Sequence, residues 1–227
     1  MFCLGYSAFL LLDYSVKILH IPLMPRTSDA DVRLMNAALE LIWENSYSAT
    51  SVDDICRGAG VRKGSFYHFF PSKCDLATAA LEADWRKKKP LFDEIFSPTV
   101  PPLQRITNYF EHVGKWQTTR RSQGGCVLGC PVFSLGSEVC TQNTSIGVKV
   151  REILDCQVLY FETAVRDAQA QKVLRTSNVR ATARWLFALY LGTLTLARIR
   201  NDPRLLRELR SGALELLGAN RARRTSR

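Results

Sequence analysis

Residues 50–73 read TSVDDICRGAGVRKGSFYHFFPSK, and this stretch decides the fold. Ser51 stands three residues before Asp54, the spacing at which a hydroxyl accepts an orphan amide of a first helical turn while the carboxylate reaches back. Val52, Ile55 and Ala59 then share one side of a short helix over about 52–59. Gly60 ends it, because glycine takes the φ > 0 backbone that a helix C-cap needs. Only Val61 separates this glycine from a second short helix, Arg62 to Phe70, closed by Pro71. Two short helices joined by a tight glycine turn form a helix-turn-helix. In the second helix Phe66 and Phe70 share a face toward Val52 and Ile55, which leaves Arg62, Ser65 and His68 pointing outward with Lys63 and Tyr67 on the flanks.

The same Ser-x-x-Asp signal occurs at Ser28/Asp31 and Ser72/Asp75, so the flanking helices are expected to be closely connected. A helix over about 29–46 carries the stripe Val32, Met35, Leu39, Ile42 and covers the apolar faces of the pair. A fourth begins at Ser72, carries Leu76, Ala79, Ala80 and Ala83, and runs past Trp85 until Pro90 kinks or ends it. The run Arg86-Lys87-Lys88-Lys89 reads as a solvated face, with phosphate contact as the alternative. Pro98, Pro101 and Pro102 mark a break, after which helices are expected at roughly 103–121, 127–141, 145–172, 178–200 and 203–218. No strand-like alternation appears, so the chain reads as all-α. Residues 26–75 are expected to form an N-terminal three-helix domain around the helix-turn-helix, 76–218 a C-terminal helical domain, and 219–227 a basic tail.

The run from Thr50 to Lys73, with its turn glycine, Lys-Gly-Ser-Phe-Tyr-His-Phe-Phe and the following Ser-Lys in order, resembles the DNA-binding signature of the TetR/AcrR transcriptional regulators over about residues 29–76. Two departures stand out: Ser46 precedes Tyr47 where the family usually has glycine, and Cys56 replaces a commoner alanine. The resemblance implies that residues 62–68 are the recognition helix. A segment of about seven residues is roughly 10 Å long and fits a major groove about 12 Å wide, and Gly64 allows close approach. Arg62, Ser65 and His68 are the expected base-edge contacts, with Lys63 reading bases or phosphate. Thr50, Ser51, Tyr67 and Lys73 are expected on backbone phosphates. The implied partner is a near-palindromic double-stranded operator bound by a homodimer, joined through the last two helices. There Trp185, Leu189, Gly192, Leu196 and Ile199, then Leu205, Leu209, Leu216 and Leu217, recur at helical spacing.

The resemblance also implies a pocket for a small hydrophobic or electrophilic effector within residues 90–203. Its aromatic candidates are Trp116, Phe133, Tyr160 and Trp185, though aromatic stripes more often fill cores. The segment Gly124-Gly125-Cys126-Val127-Leu128-Gly129-Cys130-Pro131 adds Cys126 and Cys130. A helix starting near Cys126 or Val127 would lower that thiol's pKa and make a thiol-responsive regulator, the alternative being a buried small hydrophobe. A thiol-dependent enzyme built on either cysteine would need His112 as base, and nothing in the spacing supports it. No catalytic residue is nominated.

Composition narrows the remaining choices. The chain has 227 residues, 46% hydrophobic and 23% charged, which is ordinary globular usage. Its +10 charge is uneven: residues 26–90 hold ten basic and nine acidic groups (+1), while residues 204–227 hold seven Arg and two Glu (+5). DNA binding therefore rests on the geometry of residues 50–73, and the tail adds a salt-sensitive nonspecific component. Seven cysteines without C-x-x-C spacing and three scattered histidines suggest reduced thiols in a cytoplasmic protein, with no metal and no cofactor. The apolar stretch Phe9–Leu12 is interrupted by Asp13 and too short to span a bilayer, so no membrane partner is expected. Met24 opens a polar segment, and residues 1–23 read as an over-extension of the start within a disordered or mis-annotated 1–25.

Overall fold

Ser51 accepts the amide of Asp54, and the Asp54 carboxylate returns the favour to the Ser51 amide, a complete capping box that starts helix α2 (Val52–Ala59). Gly60 ends that helix at φ 60°, ψ 39°, with its amide on the Arg57 carbonyl. Helix α3 (Lys63–Phe69) follows, and Ser72 caps α4 (Lys73–Ile95) by accepting the Asp75 amide. The computed structural model describes residues 29–123 and 125–218, and every regular element among them is helical. α1 (Ala30–Glu44) precedes these three, and α5 (Pro102–Ser122), α6 (Pro131–Val139), α7 (Thr144–Ala170), α8 (Val179–Ile199) and α9 (Glu208–Leu216) follow.

The boundaries depart from expectation where proline or glycine overrides the apolar pattern. Ser28 lies outside the described residues, as do the rest of 1–28 and the tail 219–227; α1 has Asp29 at its cap position, without a side-chain cap bond. α4 does not stop at Pro90 but continues to Ile95. α6 was expected from residue 127, yet Gly129 at φ 80° breaks helical geometry, and the helix begins at Pro131, where a missing amide costs nothing. The last expected helix is divided: Pro203–Arg207 is a 3-10 turn that leads into α9.

One apolar core runs through all the helices. Leu34, Ile55, Phe66 and Leu76 are fully buried at the α1–α4 end, and Phe110, Phe161 and Leu186 at the other. An aromatic lattice of Phe92, Phe96, Tyr109, Phe110, Phe161, Phe187 and Tyr190 ties α4, α5, α7 and α8 together, with neighbouring centroids between 4.9 and 6.2 Å. The buried Arg105 is neutralised by Asp167 at 2.5 Å and also donates to the carbonyls of Val100 and Pro98, so its charge is both paired and hydrogen-bonded.

Two of the three glycines of the reading motif, Gly60 and Gly64, predict opposite stability effects. A methyl at Gly60 meets nothing closer than 3.6 Å but must accept a left-handed backbone, so Gly60→Ala should cost about 1 kcal/mol. Gly64 lies inside α3 with open space around it, so Gly64→Ala should raise stability by up to about 1 kcal/mol. Urea unfolding of the two variants checks both signs.

Candidate functional site

α3 presents one exposed polar face. Arg62, Lys63, Gly64, Ser65, Tyr67 and His68 are all solvent-accessible, while Phe66 is fully buried and Phe70 nearly so. Tyr67 is held edge-on against Phe66 and His68 against Phe69, so both rings stand on the core aromatics. Lys63 pairs with Asp53 across the turn at 2.9 Å, an exposed contact that a competing phosphate can replace. Ser51 is exposed at the start of α2, its hydroxyl shared between the Asp54 amide and carboxylate.

Beneath this face lies a polar knot. Thr50 is buried, and its hydroxyl donates to the Ser46 and Leu41 carbonyls at 2.7 and 3.3 Å. Lys73 Nζ donates to the carbonyls of Tyr47 and Thr50 at 2.8 and 2.9 Å and sits 4.1 Å from the centre of the Tyr47 ring. Partial burial lowers its pKa. The carboxylate of Glu138, from α6, accepts the amides of Tyr47 and Ser48 at 2.9 and 2.8 Å. Burial pushes the Glu138 carboxyl up, but its hydrogen bonds with Ser48 and Tyr47 and the charge of Lys73 outweigh this and hold it below the ordinary value. Ser46 needs no left-handed backbone here: its hydroxyl accepts the Ala49 amide and its carbonyl the Thr50 hydroxyl, which accounts for serine in a place where glycine is usual.

A second site opens where α4, α5, α7 and α8 meet the loop before α6. It is a cavity of about 110 Å³ walled by Trp43, Trp85, Phe92, Tyr109, Trp116 and Tyr190, with His112, Gln117, Gln157 and Cys130 among its polar members. The loop is fixed at three successive residues. Val127 donates to the Asn201 side chain; Leu128 donates to Gln117 Oε1; Gly129 accepts from Gln117 Nε2. Trp43, although it belongs to α1, donates its indole N–H to the Leu128 carbonyl at 2.8 Å and stacks on Trp116 at 5.3 Å. Arg198 of α8 closes the group by donating to the Trp43 carbonyl and to Ser134 of α6.

The comparisons with known proteins agree with this geometry. A family profile described as "Bacterial regulatory proteins, tetR family" matches residues 34–80, and one described as "Tetracyclin repressor-like, C-terminal domain" matches residues 102–213. The chain belongs to the TetR family of transcriptional regulators. It is 34% identical over 116 residues to the transcriptional regulator AcuR of Cereibacter sphaeroides, covering 51% of each chain. It is 25% identical over 143 residues to the transcriptional repressor DhaR of a Mycobacterium species, covering 63% of this chain and 68% of that one. The chain thus spans about half the length of the first of these relatives. Among solved structures, the regulatory protein TetR from Rhodobacter sphaeroides superposes with a TM-score of 0.74 at 26% identity, covering 82% of this chain and 97% of that one. The reduced form of Escherichia coli NemR superposes at 0.71 and 22% identity, covering 83% and 98%, which speaks for the fold alone.

In this TetR-family chain the sequence-predicted residues divide clearly. Thr50 and Lys73, expected on phosphates, have their side chains committed to the knot behind the reading face. The basic run of α4 is paired to carboxylates or amides: Arg86 with Glu82, Lys87 with Asn36, Lys88 with Asp84 and Lys89 with Asp93. Of the expected pocket members only Trp116 and Cys130 line the cavity. Phe133 is half-buried on α6; Tyr160 donates to Asp93 beside Phe92 and Phe96; Trp185 is 60% exposed on α8. Cys126 is exposed in the loop, five residues before α6, so the helix end that was expected to activate it is elsewhere. Burial pushes the Cys130 thiol up, the opposite of the lowered pKa that an activated cysteine needs. No helix among the described residues is long and apolar enough to cross a membrane, and no group of His, Cys, Asp or Glu among them is placed to hold a metal.

Sequence reading missed Trp43, Trp85, Gln117 and Gln157. Trp43 stands four residues after Leu39, on the side marked by the expected α1 stripe, whereas the fully buried positions of this helix are Leu34 and Ala38 and Val32 is exposed.

Glu138 generates a pH prediction. A carboxyl whose folded pKa is depressed contributes stability above its unfolded value, and that contribution is lost as pH falls through the folded pKa. Glu138→Gln should therefore cost about 1–2 kcal/mol at pH 7 and progressively less as the pH drops below about 4.5; denaturant unfolding at pH 7 and pH 4 measures the difference.

Proposed function

We propose that this TetR-family chain is a cytoplasmic, homodimeric repressor that reads a near-palindromic operator with α3 and leaves it when a small molecule occupies the cavity. Trp43 carries the reading: one side chain is both part of the helix that supports the reading pair and part of the cavity wall. A ligand that moves Trp43 or the loop it holds has differential affinity for two positions of α1, which is what release requires. Arg62, Ser65 and His68 take base edges, while Lys63, Tyr67 and the exposed start of α2 meet phosphate. Thr50 and Lys73 act from behind by fixing the turn that sets the angle of α2.

A dimer is supported by the outer face of α8. Trp185, Leu196 and Ile199 are 60%, 52% and 74% exposed, and nothing lies within 4 Å of a methyl placed at Gly192. An apolar stripe of that length on an otherwise charged surface calls for a partner surface, and a second copy of the same stripe is self-complementary about a two-fold axis. On α9 the expected stripe is mostly core, since Leu209 and Leu217 are buried and only Leu216 is exposed. The protein acts by binding rather than by catalysis.

Footprinting on the DNA flanking its own gene tests the whole reading; two protected half-sites about one helical turn apart support it, and no protection at low salt refutes it. Arg62→Ala should cost about 1–3 kcal/mol in specific binding and much less in nonspecific binding. Equal losses in both would assign Arg62 to phosphate. Trp185→Glu should shift the sedimentation equilibrium at micromolar concentration toward monomer, and an unaltered dimer would place the interface elsewhere.

A further inference from the structure

Gln157 is 5% exposed, lines the cavity, and makes no hydrogen bond among the described residues; its Oε1 is fully shielded from solvent. A buried acceptor without a partner is expensive, so its place on a residue of the cavity wall asks for a donor that arrives with a ligand. The other polar groups of the wall are already satisfied or neutral. Gln117 spends both ends of its amide on the loop, and the Tyr109 hydroxyl donates to Tyr190 at 3.3 Å. Asp84 and Lys88 are the only fully charged lining residues, and they neutralise each other at 2.7 Å. Burial, helped by the charge of Lys115, pulls the His112 imidazole below its usual value, so it is neutral at pH 7. The wall thus presents no net charge, six aromatic side chains and one unspent amide.

We propose that the cavity takes a neutral, single-ring aromatic molecule carrying a hydroxyl, a phenol in chemical class, whose O–H donates to Gln157 Oε1. The size agrees: about 110 Å³ is of the order of the roughly 150 Å³ apolar cavity that holds benzene. The aromatic walls supply edge and face contacts for the ring. A carboxylate-bearing ligand is disfavoured, because the Lys88 ammonium is already matched and an unpaired anion would be desolvated against aromatic rings. The inference rests on the cavity being the effector site proposed above and adds to it the identity of the group recognised.

The test is calorimetric titration of the full chain with three probes of similar size: phenol, toluene and benzoate. Phenol is expected to bind at least about fivefold more tightly than toluene, the effect of one satisfied hydrogen bond, and benzoate more weakly than either. Gln157→Leu keeps the volume and removes the unpaired acceptor, so it should fold at least as stably and reverse the order, with toluene at or above phenol. Toluene or benzoate matching phenol on the wild-type protein, or no binding by any of the three, overturns the assignment, as does an unchanged order in the Leu variant. Affinity for the DNA upstream of the gene, measured with and without phenol, separates the two proposals. Phenol that binds through Gln157 without weakening DNA binding upholds the ligand class and refutes the effector role.

Discussion

The indole N–H of Trp43 reaches the Leu128 carbonyl inside the protein, 85 residues away in sequence, and the connection between the two halves depends on it. It is buried, so neither partner has water to fall back on, and losing it strands a donor and an acceptor together. The ring that donates also stacks on Trp116 and closes the cavity, while its backbone carbonyl receives Arg198 from α8. Three helices and one loop are therefore registered on a single residue. α1 cannot be repositioned without disturbing the cavity wall, and the wall cannot be remodelled without disturbing α1.

Glu138 provides a second tie of the same kind. α6 begins at the cavity, where Pro131 and Val132 form part of the wall, and ends with Glu138 holding the turn between α1 and α2. Its nine residues are too few to bend appreciably, so displacement at one end is delivered to the other. Behind the turn, Lys73 binds the same loop from α4. The orientation of the reading helix is thus fixed by polar contacts from two sides, each linked to an element that touches the cavity.

The sequence made the reading half legible almost to the residue. The Ser51–Asp54 box, the Gly60 stop and the Phe66/Phe70 face are local features, and local chemistry decides them. What it did not make legible was the use of side chains that look like surface binders: Thr50 and Lys73 have the composition of phosphate contacts but find carbonyls across a turn that no spacing rule reveals. The cavity was the least legible, since its wall is assembled from six helices and a loop. Trp185 and Trp43 are both aromatic residues on amphipathic helices, and only tertiary packing turns one outward and the other into the wall. The loop at Gly129 reads as helix in the sequence because Val127 and Leu128 are apolar for another reason: they are buried in the core from an irregular segment.

Pro90 gives α4 a mechanical character that its length disguises. The helix extends from the Lys73 knot to the aromatic lattice, and proline, having no amide to offer the carbonyl of Arg86, removes one rung from the ladder toward its C-terminal end. The missing rung falls between Trp85 and Lys88 on one side and Leu91 and Phe92 on the other, all of which face the cavity. A rod weakened at one level resists bending least there, so any bending of α4 is concentrated at that joint. α4 is better regarded as two stiff levers sharing a pivot at the depth of the cavity than as a single shaft.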